Sequence, residues 1–163
     1  MITVEALARD DTRLEQLPPL FRAYYESMSE KGLRMPLVEN GEFMWLEGIR
    51  KSVGRLYQLI VAQEEGEVRG FVFGYIRITP QYLGTQRVGF VDGLYLAEQY
   101  RRGPLVIRMI KELYKWFNAQ QVASLELQVL LDNEHTWKFW EGMGFRRELY
   151  LLRNEHPFQS GSR

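Results

Sequence analysis

The sequence predicts one α/β domain, and three observations carry that expectation. Stretches with strand character and stretches with helical spacing follow one another as strand, two helices, three strands, helix, strand, helix, strand. Two runs of strand formers, Leu56–Ala62 and Val68–Ile78, are joined by a short link with the sequence Glu-Glu-Gly-Glu between Gln63 and Val68, which marks an antiparallel hairpin. A chain of 163 residues with 45% hydrophobic side chains suits a single ordinary core, and no repeat, low-complexity block or linker divides it. The domain is expected over residues 1–153, followed by a polar, mobile tail over 154–163.

The first strand reads from Ile2 to Leu7 and stops at the charges of Arg9, Asp10 and Asp11. Asp10 or Asp11 can cap a short helical turn ahead of Pro18 and Pro19, a pair tolerated in the first turn of a helix. From there Leu20, Phe21, Tyr24 and Met28 fall on one helical face, and Ser29–Pro36 reads as a loop. A second helix near Glu42 carries Phe43, Leu46, Ile49 or Arg50, and Val53, and ends at Gly54. After the hairpin, a loop with Pro80 and Gly84 leads to a long strand, Arg87–Ala97, in which Gly89 and Gly93 suggest a bulge or a close backbone approach. Val106, Ile107, Ile110, Leu113, Tyr114 and Phe117 make the stripe of a helix over Gly103–Asn118. Ser124–Leu131 alternates as a buried strand, a helix begins at Asn133 and stops at Gly144, and Arg146–Leu152 reads as a last strand.

Composition removes several functions. The 21 basic and 21 acidic side chains cancel, which argues against bulk electrostatic binding to nucleic acid or to an anionic membrane. The absence of cysteine excludes a disulfide framework, a thiolate zinc site and a cysteine nucleophile. His135 and His156 cannot by themselves build a metal centre, so no metal is expected. Apolar stretches fall far short of the roughly 20 residues of a membrane helix. The start, MITVEALARDD, has no basic segment followed by a long apolar one, so a cytoplasmic location is the expectation.

Chemistry concentrates between Phe90 and Phe145. A strand runs into Glu98-Gln99-Tyr100-Arg101-Arg102-Gly103-Pro104 and then into a helix. The first amides of a helix lack internal partners and sit at its positive end, so such a turn offers an anion site, or simply a connection whose arginines face water. A second stretch, Asn133 to Phe145, holds Trp137, Phe139 and Trp140, which taken alone read as core packing.

Together the two stretches resemble the GNAT superfamily of N-acetyltransferases. Val91-Asp92-Gly93-Leu94-Tyr95-Leu96 looks like that family's bulged central strand. Tyr100-Arg101-Arg102-Gly103-Pro104-Leu105 stands where the family has Gln/Arg-x-x-Gly-x-Gly/Ala, and Asn133, Trp140-Glu141 and Gly144-Phe145 have the spacing of its Asn, Tyr-Glu and Gly-Phe. The resemblance implies a mixed, mostly antiparallel central sheet flanked by helices, with a splayed parallel strand pair forming an acyl-CoA cleft. It implies acetyl-CoA as acyl donor, bound by Leu94, Tyr95 and Leu96 along the strand, by Arg101, Arg102, Gly103, Leu105 and Val106 at the pyrophosphate, and by Asn133 and Trp140. For Asn133 the other reading is a helix cap. The chain departs from the pattern at Pro104, which has no N–H, at Leu105, which replaces a small residue, and at Trp140, which replaces a tyrosine that serves as acid in many members.

The implied reaction moves an acetyl group directly from thioester to a primary amine of a small molecule, or of a protein or peptide. Without cysteine, no acyl-cysteine intermediate can form. Asp92 occupies the place of a frequent glutamate and is the candidate base, while Tyr150, Tyr95 and Tyr100 are tyrosines available as acid, of which Tyr150 is taken as the candidate. The acceptor is expected among Tyr24, Tyr25, Met28, Lys31–Met35, Phe73 and Tyr75. Dimers are frequent in similar proteins, so a homodimer is compatible with the resemblance, and the sequence offers no sign of its own for one. The competing reading is a non-catalytic acyl-CoA sensor or interaction module.

Overall fold

A computed structural model describes residues 1–158; the end of the expected tail, 159–163, lies outside the described residues. The elements follow the expected order through the fourth helix: β1 (Ile2–Ala6), α1 (Leu17–Glu30), α2 (Gly41–Ser52), β2 (Tyr57–Glu64), β3 (Glu67–Ile78), β4 (Arg87–Leu96), α3 (Leu105–Ala119), β5 (Ser124–Leu127) and α4 (Glu134–Gly142). A 3₁₀ turn over Thr12–Gln16 is capped by Asp11, whose carboxylate accepts the Arg13 N–H. The Arg13 guanidinium then bridges Asp11 at 2.7 Å and Glu5 at 2.8 Å, tying that turn to β1. Pro18 and Pro19 sit in the first turn of α1, where missing N–H groups cost no helical bond.

The expected final strand, Arg146–Leu152, is not a strand: the segment has no regular structure, and Leu149, Tyr150, Leu151 and Leu152 are exposed. The segment contains no β-branched residue, and a strand without a hydrogen-bonding neighbour is not stable. β5 likewise stops at Leu127, short of the expected Leu131.

The sheet runs β1-β2-β3-β4-β5, antiparallel except for the last pair. Glu65 and Gly66, both at positive φ, form the two-residue hairpin turn between β2 and β3, the geometry that matches strand twist. The helical crossover α3 returns the chain so that β5 can pair parallel with β4. On one face Leu59, Val61, Phe71 and Phe73 pack against Leu17 and Phe21 of α1 and Leu46 and Ile49 of α2. The opposite face meets α3: a Cβ placed on Gly74, the neighbour of Phe73, would approach Phe117 and Leu113. Leu113, Phe117, Met109 and Ile110 are almost wholly buried.

Two features of β4 prepare the site. Its pairing with β3 slips, so that Phe73 lies opposite Gly93 and Gly74 opposite Val91, leaving Asp92 as the extra residue of a bulge. Its pairing with β5 ends at Val91 and Leu127, while β4 itself continues to Leu96. Among the described residues, this side of the strand is therefore unpaired beyond the bulge.

Contacts divide the chain into two compact units, Met1–Asp132 and a second beginning at Asn133. The second is built on α4. Trp140 is buried and meets Phe139 and Phe145 edge-on at 5.0 and 5.5 Å. Gly144, at φ +96°, ends the helix: its N–H bonds the Glu141 carbonyl and the Phe145 N–H bonds the Trp140 carbonyl. This is the Schellman arrangement, with Phe145 and Trp140 supplying its apolar contact. The Trp140…Gly144-Phe145 spacing is thus a helix stop as well as a family signature. No described helix is long and apolar enough to cross a membrane.

Candidate active site

The β4 bulge turns Asp92 toward the face covered by α1 and α2. The Tyr57 hydroxyl at the start of β2 donates to Asp92 Oδ2 at 2.9 Å, and the Tyr24 hydroxyl on α1 donates to the Asp92 carbonyl at 3.4 Å. The next residue has to be glycine, because a Cβ on Gly93 would lie 2.3 Å from Phe73 Cε1. Tyr25 stands edge-on to Tyr24 at 5.7 Å, and Tyr75 stacks on Tyr57 at 5.4 Å.

Asp92 is exposed at its surface, yet these rings displace water from its carboxyl. Burial pushes the carboxyl above the usual aspartate range, and the Tyr57 hydrogen bond to the ionised form pulls part of the way back. No cation among the described residues offsets its charge. The four phenols respond in the same sense: burial first, and then the Asp92 charge, raise Tyr24, Tyr25, Tyr57 and Tyr75, so all remain neutral hydrogen-bond donors. An aspartate raised in this way is better matched to accept a proton from an ammonium group than one in water.

Of the residues expected at the acceptor, Tyr24, Tyr25 and Tyr75 gather around Asp92. Met28 lies a turn further along α1, half-buried, with its carbonyl closing the helix end on Lys31 and Leu33. Tyr57 escaped the sequence reading, though it makes the closest contact to Asp92. The signal was the hairpin, whose register places Tyr57 opposite Tyr75, but that register contains a slip at Ala62/Gln63 that no residue pattern announces. Tyr150, expected as acid, is 75% exposed in the irregular segment after α4 and belongs to the second unit.

Leu94, Tyr95 and Leu96 lie on the β4 edge beyond the last β5 pairing. Arg101 folds back onto this strand: its Nε donates to the Leu96 carbonyl at 2.7 Å and its guanidinium lies 5.5 Å from the Tyr95 ring centre. Arg102 stays exposed. Gly103 has φ +112°, a conformation that a side chain disfavours. Pro104 is the N-cap of α3, so the helix begins at Leu105, two residues later than the expected Gly103, and no side chain caps this end. The amides of Leu105, Val106 and Ile107 therefore have no partner within the helix. The Leu105 side chain is 7% exposed, turned into the core and away from the helix mouth. An uncapped helix N-terminus, an exposed arginine and a free strand edge together fit a thioester on a long amide-containing arm with a phosphate end. In the second unit Asn133 is the N-cap of α4, but its side chain makes no capping bond; only its carbonyl is used, by Trp137 N–H at 3.0 Å.

Known proteins share this architecture. The family described as acetyltransferase (GNAT) matches residues 15–145. An L-2,4-diaminobutyric acid acetyltransferase of Vibrio parahaemolyticus is 28% identical over 82 residues, which are 50% of this chain and 42% of that protein. The match thus spans less than half of that relative's length. Among solved structures, the aminoglycoside N-acetyltransferase AAC(6')-Iy in complex with CoA superposes with a TM-score of 0.74 at 14% identity, covering 95% of each chain. A ribosomal-protein-alanine N-acetyltransferase from Brucella melitensis biovar Abortus superposes with a TM-score of 0.67 at 20% identity, covering 94% of this chain and 100% of that one. At such identities the likeness to solved structures is one of fold. With the family matched over most of its length, the chain belongs to the acetyltransferase (GNAT) family.

Proposed function

We propose that the protein transfers an acetyl group directly from acetyl-CoA to the primary amine of a small molecule. The observation that carries this reading is Asp92, lifted by the β4 bulge into a ring of tyrosines where the strand's free edge begins. The acceptor arrives as an ammonium ion. Asp92 takes one proton, directly or through water, and the freed nitrogen lone pair attacks the thioester carbonyl carbon. Collapse breaks the carbon–sulfur bond, the electron pair leaves on sulfur, and the new amide nitrogen releases its second proton. Solvent receives that second proton and protonates the thiolate. The strand edge at Leu94–Leu96 and the α3 amides with Arg102 and Gly103 bind the donor in this reading.

The test joins binding to turnover. Acetyl-CoA at a hundred times its dissociation constant adds about 2.7 kcal/mol, a melting shift of roughly 5 to 10 °C for a chain of this size. Released CoA is then read with a thiol-specific chromogenic reagent, free of protein background because the chain has no cysteine. A shift with CoA release from amines supports the reading. A shift without release from any amine supports the non-catalytic sensor, and no shift with acetyl-CoA or CoA removes both.

A further inference from the structure

Tyr57, Tyr75 and Phe90 form one strip across three strands. Tyr57 lies opposite Tyr75, and Tyr75 opposite Phe90. The rings stack in sequence, Tyr57 on Tyr75 at 5.4 Å and 20°, and Tyr75 on Phe90 at 5.1 Å and 28°. Unlike Phe71 and Phe73, which α1 and α2 seal, all three remain half-buried; Tyr75 is flanked by Tyr57 on one face and by Phe90 on the other, so the strip meets solvent with its ring edges. Tyr57 carries the hydrogen bond to Asp92, so this strip leads directly to the carboxylate.

The charges around the strip are few. Asp92 acts on Tyr24, Tyr25, Tyr57 and Tyr75. At the far end Arg77 and Glu126 also act on Tyr75, but they pair with each other at 2.6 Å and cancel. Among the described residues that act on these rings, Asp92 is therefore the one uncompensated negative charge beside the aromatic strip.

Resting on the acetyltransferase reading above, we propose that the acceptor is a primary amine with one positive charge carried on a flat apolar body, an arylalkylamine in chemical class, its nitrogen at Asp92 and its ring on Tyr57, Tyr75 and Phe90. A planar ring laid across these ring edges makes edge-to-face contacts, and an ammonium group is matched by one carboxylate. A polyamine, an aminoglycoside or a diamino acid brings further positive charges, and beside Asp92 the strip meets only Glu126, already paired with Arg77, among the described residues, so desolvating them is costly. The acceptor class is set by what the strip lacks as much as by what it holds.

The experiment compares kcat/KM for 2-phenylethylamine, spermidine, kanamycin and 2,4-diaminobutyrate at saturating acetyl-CoA. We expect 2-phenylethylamine to lead each polycation by about tenfold or more, and Tyr75→Leu to raise its KM by about fivefold while the acetyl-CoA KM is unchanged. Tyr75→Phe, which keeps the ring, restores the wild-type KM and guards against a folding artefact in the leucine variant. A polycation turned over as well as or better than 2-phenylethylamine overturns the proposal and leaves the acetyltransferase reading standing. So does an unchanged KM in folded Tyr75→Leu. Failure to bind acetyl-CoA overturns the acetyltransferase reading itself.

Discussion

Replacing Tyr57 by phenylalanine removes a single oxygen, the one that donates to Asp92 Oδ2 at 2.9 Å. The ring remains, and with it the stacking on Tyr75 at 5.4 Å and on Phe73 at 6.1 Å, so packing is largely preserved. A hydrogen bond to a charged group is worth about 1.5–3 kcal/mol. Asp92 is exposed enough for water to replace part of it, so the net loss is about 1 kcal/mol, close to fivefold in an equilibrium constant. The sign follows from which form the hydroxyl serves. It donates to ionised Asp92 and holds the carboxyl down against burial, so its loss lets the carboxyl rise further. The ionised base is then lost sooner as the pH falls. Measured as CoA release over roughly pH 5 to 9, the acid limb of kcat/KM moves to higher pH in Tyr57→Phe. On that limb the variant runs about fivefold slower, and it approaches wild type on the alkaline side. An acid limb that stays in place, or moves to lower pH, would refute the argument that Tyr57 tunes the catalytic aspartate.

Other consequences follow from single contacts. Gly93→Ala places a methyl group 2.3 Å from Phe73 Cε1, an overpacking that costs about 1–3 kcal/mol and lowers the melting temperature by several degrees. An unchanged melting temperature would mean that the strand relaxes freely at the bulge. Arg102→Ala, at an exposed position beside the α3 mouth, weakens acetyl-CoA binding several-fold without changing thermal stability. Arg101→Ala also lowers stability, by about 1 kcal/mol, because it loses the 2.7 Å bond to the Leu96 carbonyl. Calorimetric titration and melting curves on the two variants separate these roles, and equal stability losses would contradict the assignment.

The parts of this fold that were legible from sequence are those fixed by local pattern. Helical spacing placed α1 and α3, and the Glu65-Gly66 turn announced the hairpin that the structure contains. What escaped depends on partners distant in the chain. Arg146–Leu152 ends in an apolar run but has no pairing partner among the described residues, and an apolar run alone does not hold a strand. Tyr57 could not be placed beside Tyr75 without knowing that the β2–β3 register slips at Ala62/Gln63. The two glycines of β4 looked alike in sequence. In the fold Gly93 flanks the bulge, whereas Gly89 makes room for Phe117 and Leu125. Asp92 was reached through family resemblance, and its tyrosine surroundings give that choice a physical basis. At the two departures from the family pattern, Pro104 forms the N-cap of α3 and Leu105 turns into the core.

The account rests on Asp92 as the base that frees the acceptor amine. Asp92→Asn keeps the side-chain shape and the oxygen that Tyr57 can donate to, but removes the charge and the proton acceptor. Measured side by side with acetyl-CoA affinity by calorimetry, kcat/KM for the amine should fall by about a hundredfold or more while donor binding is unchanged. Full turnover in that variant, with donor binding intact, would contradict the account.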